Sequence, residues 1–209
     1  MRLIIIGPQA SGKGTQAHLL AQHLHIPHIS TGDIFREHIA RGTELGKKAA
    51  AIINDGGLMP DEITEGIVSH RLAHDDCKNG FLLDGFPRDL DQARFLETNF
   101  PIHRAVVIRL SDNEAIHRIG KRRVCTANGT IYIADKITQD DIDACEKEGG
   151  KIVMRDDDKP DAVRVRLKTY HEKTEPLITF FKEKGKVIEV DGNASIEEVF
   201  AQIKALLGC

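Results

Sequence analysis

The sequence of 209 residues predicts a three-layer α/β/α fold. At its centre is a parallel five-stranded sheet, headed by a phosphate-binding loop (P-loop), and it carries a helical insertion and a small β-containing lid. Three observations predict it. Short, continuous apolar runs recur with amphipathic helical stretches between them, the pattern of strands buried on both faces of a parallel sheet. The first run leads at once into the glycine-rich stretch GPQASGKGTQ at 7–16. Two segments, 30–59 and 122–158, break the alternation and are expected to lie on the core as insertions rather than fold independently.

The elements follow in order. Leu3-Ile4-Ile5-Ile6 is the first strand, and the helix after the glycine-rich loop runs over about 13–24. PHIS gives a short second strand. Residues 30–60 are helical and rich in small residues, with Gly32, Gly42, Gly46, Gly56 and Gly57 as breaks, and a further helix opens at Asp61. FLLD at 81–84, AVVIRL at 105–110 and KVIEV at 186–190 complete the sheet. Ser111-Asp112-Asn113-Glu114 and Ser195-Ile196-Glu197-Glu198 each spell a capping box, and the second opens the last helix, to about 207. Between 122 and 158 the sequence offers a turn at Asn128-Gly129 and β-prone pieces at Ile131-Tyr132-Ile133 and Lys151-Ile152-Val153-Met154. That stretch has little apolar content for a core of its own.

Composition narrows the function. With 41% hydrophobic and 29% charged residues the chain is globular, and its net charge of −3 without a long basic run excludes a nucleic-acid footprint or a membrane-surface patch. No apolar stretch approaches the roughly 18 residues of a membrane span, and no leader pattern is present, so a cytoplasmic location is expected. Cys77, Cys125, Cys145 and Cys209 are too scattered for a secreted disulfide framework, and are expected to stay thiols in a reducing compartment.

Two motifs carry chemistry. A phosphate site needs inward backbone N–H groups, a helix N-terminus and one flexible cation, and Gly7, Gly12, Lys13 and Gly14 supply these. The hydroxyl of Thr15 comes one residue later than the commonest pattern requires, and Ala10 stands where a methyl group restricts positive φ. Alone, the loop is a phosphate cradle or a chance glycine-rich turn. The second motif is FLLDGFPRDLDQ at 81–92. Here Asp84 ends a strand where a carboxylate can order the water shell of Mg²⁺, and Arg88 offers a planar fork to a second phosphate. Its alternative is a plain Asp-Gly turn with a surface arginine.

GxxxSGKGTQ, ISTGD at 29–33, FLLDGFPR with Gln92, KRRV at 121–124, RDDD at 155–158 and VRLKTYH at 165–171 occur in the order and near the spacing of the adenylate kinases. The sequence resembles the long-lid members of that family from end to end, and their G-K-G-T accounts for the late Thr15. The resemblance implies reversible transfer from ATP to AMP giving two ADP. Lys13 would reach the ATP phosphates, the loop Ala10, Ser11, Gly12, Gly14 and Thr15 would wrap them, and Arg118, Arg122, Ile131, Tyr132 and Ala194 would complete the ATP site. Thr31, Arg36, Gly57, Leu58, Met59, Gly85, Phe86, Pro87, Arg88, Gln92, Arg155 and Arg166 would form the AMP site. Catalysis would fall to Lys13, Asp84, Arg88, Arg118, Arg122, Arg155 and Arg166, with Mg²⁺ near Thr15 and Asp84, mostly through water. Asp157 and Asp158 match acids that hold the lid closed, and a cis Phe86-Pro87 bond is implied.

Some relatives hold zinc in the lid. Here Cys125, Asn128, Cys145 and Glu148 keep the ligand spacing with an amide at one position, so the alternatives are Zn²⁺ on Cys125, Cys145 and Glu148, or a metal-free lid with hydrogen-bonded side chains. The partners implied are ATP, AMP and ADP, with no nucleic acid or membrane, and a monomeric state. Two rival functions stay open: a kinase for another monophosphate such as UMP or CMP, or one using GTP, and a nucleotide-binding protein without turnover. Thr31 and Gln92 favour AMP.

Overall fold

The computed structural model describes residues 1–209. β1 (Arg2–Ile6) is flanked by β3 (Phe81–Asp84) and β4 (Arg104–Arg109), with β2 (His28–Ser30) and β8 (Val187–Asp191) outside them, in the order β2-β3-β1-β4-β8. Every pairing is parallel. The continuous apolar runs are explained by burial on both sides. Ile4 and Ile6 point to one core with Leu83, Val107, Leu177 and Phe181, while Leu3 and Ile5 point to the other with Leu82, Val106, Leu20 and Ile203. Alternate residues of a strand face opposite ways, so one short run feeds two cores.

Helices cover both faces. α1 (Lys13–Leu24) and α10 (Ile196–Leu207) pack on one side; α4 (Asp61–Leu72), α5 (Leu90–Asn99) and α9 (Pro176–Glu183) pack on the other. α6 (Asp112–Lys121) and α8 (Pro160–Thr169) join through a smaller cluster of Ala115, Ile119, Val163 and Leu167, against which Ala10 is packed. The Ser195 box forms complete, with its hydroxyl on the Glu198 N–H and the Glu198 carboxylate on the Ser195 N–H. At Ser111 only half of the expected box forms, because the Glu114 carboxylate turns to the Arg118 guanidinium at 2.7 Å.

Residues 31–53 form two helices, α2 (Thr31–Ala40) and α3 (Glu44–Ile53), over a small core of Phe35, Ala49 and Met59. They cross so closely at Gly46 that a Cβ there would lie 2.0 Å from the His38 carbonyl oxygen. The second insertion is a three-stranded antiparallel sheet, β5 (Arg122–Cys125) between β6 (Ile131–Ile133) and β7 (Ile152–Val153), with α7 (Gln139–Lys147) between β6 and β7. β5 and α7 were not legible, since RRVC and QDDIDACEK carry few apolar residues to set a period. Between α8 and α9 the chain makes one π-helical turn, Tyr170–Thr174, closed by Glu175 N–H to the Tyr170 carbonyl. No helix is long and apolar enough to cross a membrane.

Candidate active site

The carboxyl ends of β1, β2 and β3, with the turn that follows β8, open into a cleft of about 1260 Å³. Its position follows from strand order: the connection from β1 runs to β2 on one side of it and that from β3 crosses to β4 on the other, and open α/β sheets bind ligands at such a switch point.

The glycine-rich loop lies at its centre. Gly12, in the left-handed region at φ 91°, caps α1 without any side-chain cap, so the first N–H groups of that helix stay open to an anion. Only glycine adopts this turn cheaply. Ala10 adopts φ 56°, so the strain expected of its methyl group is present and tolerated. The Lys13 ammonium donates to the Pro8 carbonyl at 2.7 Å, curling back over the loop. The Ser11 hydroxyl is buried with no hydrogen-bond partner.

The charge balance of the cleft is uneven. Lys13, Arg36, Arg88, Arg118, Arg122, Arg155 and Arg166 all line it, and among the carboxylates only Asp33, Asp84 and Glu114 do. The protonated state of Lys13 is lowered to about 8, mostly by burial; Asp84 pulls it up, and Arg88, Arg166 and Arg122 push it down again. Burial and then Arg166 bring Arg88 to about 10, and burial followed by Arg36 and Arg122 does the same for Arg155. The Arg166 guanidinium is lowered too, chiefly by burial. Cations crowded in a poorly solvated pocket repel one another until an anion enters, so the site is built for several negative charges.

Each arginine is held differently. Arg88 donates through Nε to the Gly85 carbonyl at 2.8 Å, and the Thr174 hydroxyl of the π turn donates to the Arg88 carbonyl at 2.7 Å. Arg118 reaches Glu114 and the Gly192 carbonyl. Arg122 pairs with Asp158, and Arg166 with Asp157 at 2.9 Å. The two acids expected to latch the lid are thus buried anchors for arginines of the cleft, at 7% and 3% exposure. Arg155 has no hydrogen-bonded or ionic partner, its Nε is buried, and it faces the cleft.

Asp84 stands at the end of β3, paired in register with Ile5 and Ser30. Its nearest ionic partner is His28 at 3.8 Å, and a Cβ on Gly14 would lie 3.7 Å from its oxygen. A carboxylate without a close partner beside an anion cradle, with Thr15 lining the same cleft, suits a hydrated divalent cation.

A narrower pocket continues from the cleft. It is lined by Thr31, Arg36, Gly57, Leu58, Met59, Gly85, Arg88, Gln92 and Arg166, together with Thr64, which the sequence did not single out. Thr31 donates its hydroxyl to the Gly85 carbonyl at 2.9 Å. Ile131, Tyr132, Ala194 and Pro87 line the main cleft, whereas Phe86 is 1% exposed within the core and lines neither space. The Phe86-Pro87 bond is cis, as implied. Sequence reasoning missed Gln9, whose amide donates to the Arg166 carbonyl, and Asp61, which binds Gln92 from 31 residues away. Nothing local marks either residue.

One expectation for the second insertion is corrected, and of its two alternatives the zinc site loses its thiolates. Cys125 and Cys145 are not thiols: they form a disulfide, their Cα atoms 5.8 Å apart across β5 and α7. Neither sulfur is then free to bind zinc. Glu148 is taken by the Asn128 amide at 2.9 Å, and no three His, Cys, Asp or Glu side chains are placed to hold a metal ion. The four positions make a covalent and hydrogen-bonded clip.

A parallel α/β core with a glycine-rich loop at its switch point and an arginine-lined cleft over it defines a phosphoryl-transfer class of protein. Comparison with known proteins narrows the class. The adenylate kinase family description matches residues 5–186. The chain is 44% identical to the adenylate kinase of Fervidobacterium nodosum, covering 100% of this chain and 98% of that one. It is 44% identical to that of Archaeoglobus fulgidus, with 99% and 98% covered, and 45% identical to that of Caldanaerobacter subterraneus, with 100% and 97% covered. The chain belongs to the adenylate kinase family.

Proposed function

We propose that the chain catalyses reversible transfer of the terminal phosphoryl group of ATP to AMP, giving two ADP, by direct in-line displacement in the arginine-lined cleft. ATP lies along the glycine-rich loop, with its phosphates on the α1 N-terminus and Lys13, and its base toward Ile131, Tyr132 and Ala194. AMP occupies the narrower pocket, its phosphate between Arg36 and Arg88 and its base against Gln92. Arg118, Arg122, Arg155 and Arg166 surround the transferring group. The transition state is loose and spreads charge over the equatorial oxygens, so fixed cations and alignment carry the rate, and no side-chain nucleophile is needed. When bound near Thr15 and Asp84, Mg²⁺ supplies further neutralisation of the phosphate charge.

Water must be kept out, or ATP would be hydrolysed. We assign that task to the insertions at 30–59, as the AMP-binding subdomain, and 122–158, as the lid. The working unit proposed is a cytoplasmic monomer, in which burial of Cys125 and Cys145 shields their bond from the reducing surroundings.

The observation that supports this reading most is the set of cations crowded over one anion cradle with too few carboxylates to balance them. The test is ADP formation from Mg-ATP with AMP, UMP, CMP and GMP at equal concentration. Turnover with AMP well above the others is expected. Preference for another acceptor would overturn the assignment of Thr31 and Gln92, and no turnover with any acceptor would overturn the reaction.

A further inference from the structure

We propose that Asp61 is a positioning residue that fixes the polarity of the Gln92 amide, so that the acceptor pocket selects a 6-aminopurine monophosphate over a 6-oxopurine one. This rests on the reading above in which Gln92 meets the base of the acceptor.

Gln92 is 2% exposed and lines the narrow pocket, where it is an amide with one carbonyl and one NH₂ of nearly the same shape. Rotated by half a turn, such a group presents the opposite pattern of donor and acceptor. Here two partners of fixed sense forbid the rotation. The backbone N–H of Arg88 can only donate, and it donates to Gln92 Oε1 at 2.8 Å. A carboxylate offers only acceptor oxygens, and that of Asp61 accepts from Gln92 Nε2 at 2.6 Å. Reversal would set N–H against N–H and carbonyl against carboxylate.

Each end of the amide keeps one unused function, a second lone pair on Oε1 and a second N–H on Nε2. Adenine presents a 6-amino donor beside the N1 acceptor, a complementary pair. A 6-oxopurine presents the reverse, an O6 acceptor beside an N1–H donor. Bound in the same place, it meets the locked amide donor to donor and acceptor to acceptor, whereas a free amide would turn to suit it. A site that hydrogen-bonds one pattern rejects the other because its own polar groups are left unpaired.

Asp61 does not itself line the pocket. It lies in the first turn of α4, where an anion also suits the helix dipole. A residue serving the helix alone would move the melting temperature and leave the choice of base unaltered.

The test measures kcat/KM for AMP and for inosine monophosphate at saturating Mg-ATP, in the wild type, Asp61→Asn and Gln92→Leu, together with Tm. Asp61→Asn replaces the obligatory acceptor with a group of the same shape that can donate. It is expected to lower the AMP:IMP preference about tenfold, equivalent to about 1.4 kcal/mol, through KM and with kcat for AMP little changed. If Asp61→Asn keeps the wild-type preference while Gln92→Leu collapses it, the positioning role is wrong and the pocket stands. If Gln92→Leu also keeps the preference, Gln92 does not meet the base and the pocket reading fails. Asp61→Ser removes the same acceptor with a smaller side chain and reads the same ratio if the asparagine variant does not fold.

Discussion

Lys13 illustrates how one side chain carries both a structural cost and a function. Burial first, and then Arg88, Arg166 and Arg122 against the opposing pull of Asp84, bring its ammonium down to about 8. Below that value the ammonium is charged and attracts phosphate; above it the attraction fades. Since kcat/KM reports the free enzyme, the value for Mg-ATP is expected to be level toward neutral pH and to fall as pH rises through about 8. A profile that stays flat well beyond that point would show that Lys13 does not govern ATP capture. Ala10 is a second case. A left-handed residue with a Cβ costs about 1–2 kcal/mol, against at most about 0.8 kcal/mol for a methyl group only partly buried on the Ala115 cluster. Ala10→Gly also frees the unfolded chain, which takes back part of the gain. The net expectation is a modest rise in Tm with activity retained; a fall in Tm would show that packing outweighs the strain.

Among the elements, the π turn over Tyr170–Thr174 joins the site to the scaffold, because Thr174 holds the Arg88 carbonyl. Pro176, without an N–H, opens α9 directly after it. His171 fastens the turn from outside, with Nδ1 on Glu175 at 2.8 Å and Nε2 on Asp112 of α6 at 2.9 Å. Glu175 first, and then Asp112, raise its protonation above the ordinary histidine value. The stabilisation is therefore complete below the unfolded value of about 6.5 and lost as pH rises through the higher folded value. The pair is solvent-exposed, so the effect is under about 1 kcal/mol. His171→Ala is expected to lower Tm at pH 6 and to converge with the wild type in alkali. Parallel melting curves at every pH would refute the tether.

The same scale shows what sequence could reveal. The central strands β1, β3 and β4 were legible because burial on both faces demands runs of apolar residues, the edge strands β2 and β8 carry a weaker signal broken by His28, Ser30 and Glu189, and the cradle was legible because glycine, lysine and threonine stand in one short stretch. β5 was hidden, since an arginine-rich strand in a small exposed sheet lacks an apolar signal. The Asp61–Gln92 and Thr174–Arg88 contacts span 31 and 86 residues and belong to tertiary geometry alone. The disulfide was also out of reach, because spacing suitable for metal ligands is equally suitable for a covalent bond.

At the scale of the molecule, the five-stranded domain holds two large cores, while the 122–158 segment contributes few buried residues beyond Val124, Cys125 and Cys145. Its order then depends heavily on the Cys125–Cys145 link across a separation of 20 residues. Closing a loop of that size constrains the unfolded ensemble by about 3 kcal/mol. Reduction is expected to raise hydrogen exchange within 126–150 while exchange in β1, β3 and β4 stays unchanged. Uniform loosening of the whole chain would contradict this division of stability.

The strand register at the base of that segment carries a further consequence. Val124 lies opposite Val153, and Arg122 grips Asp158, so the chain leaves the core and returns to it side by side. A detour whose two ends meet asks almost nothing of the body to which it is attached. In the vocabulary of genetic exchange it is a cassette: versions of different length and chemistry can be spliced between the same two ends, and the sheet beneath has no need to change when they are.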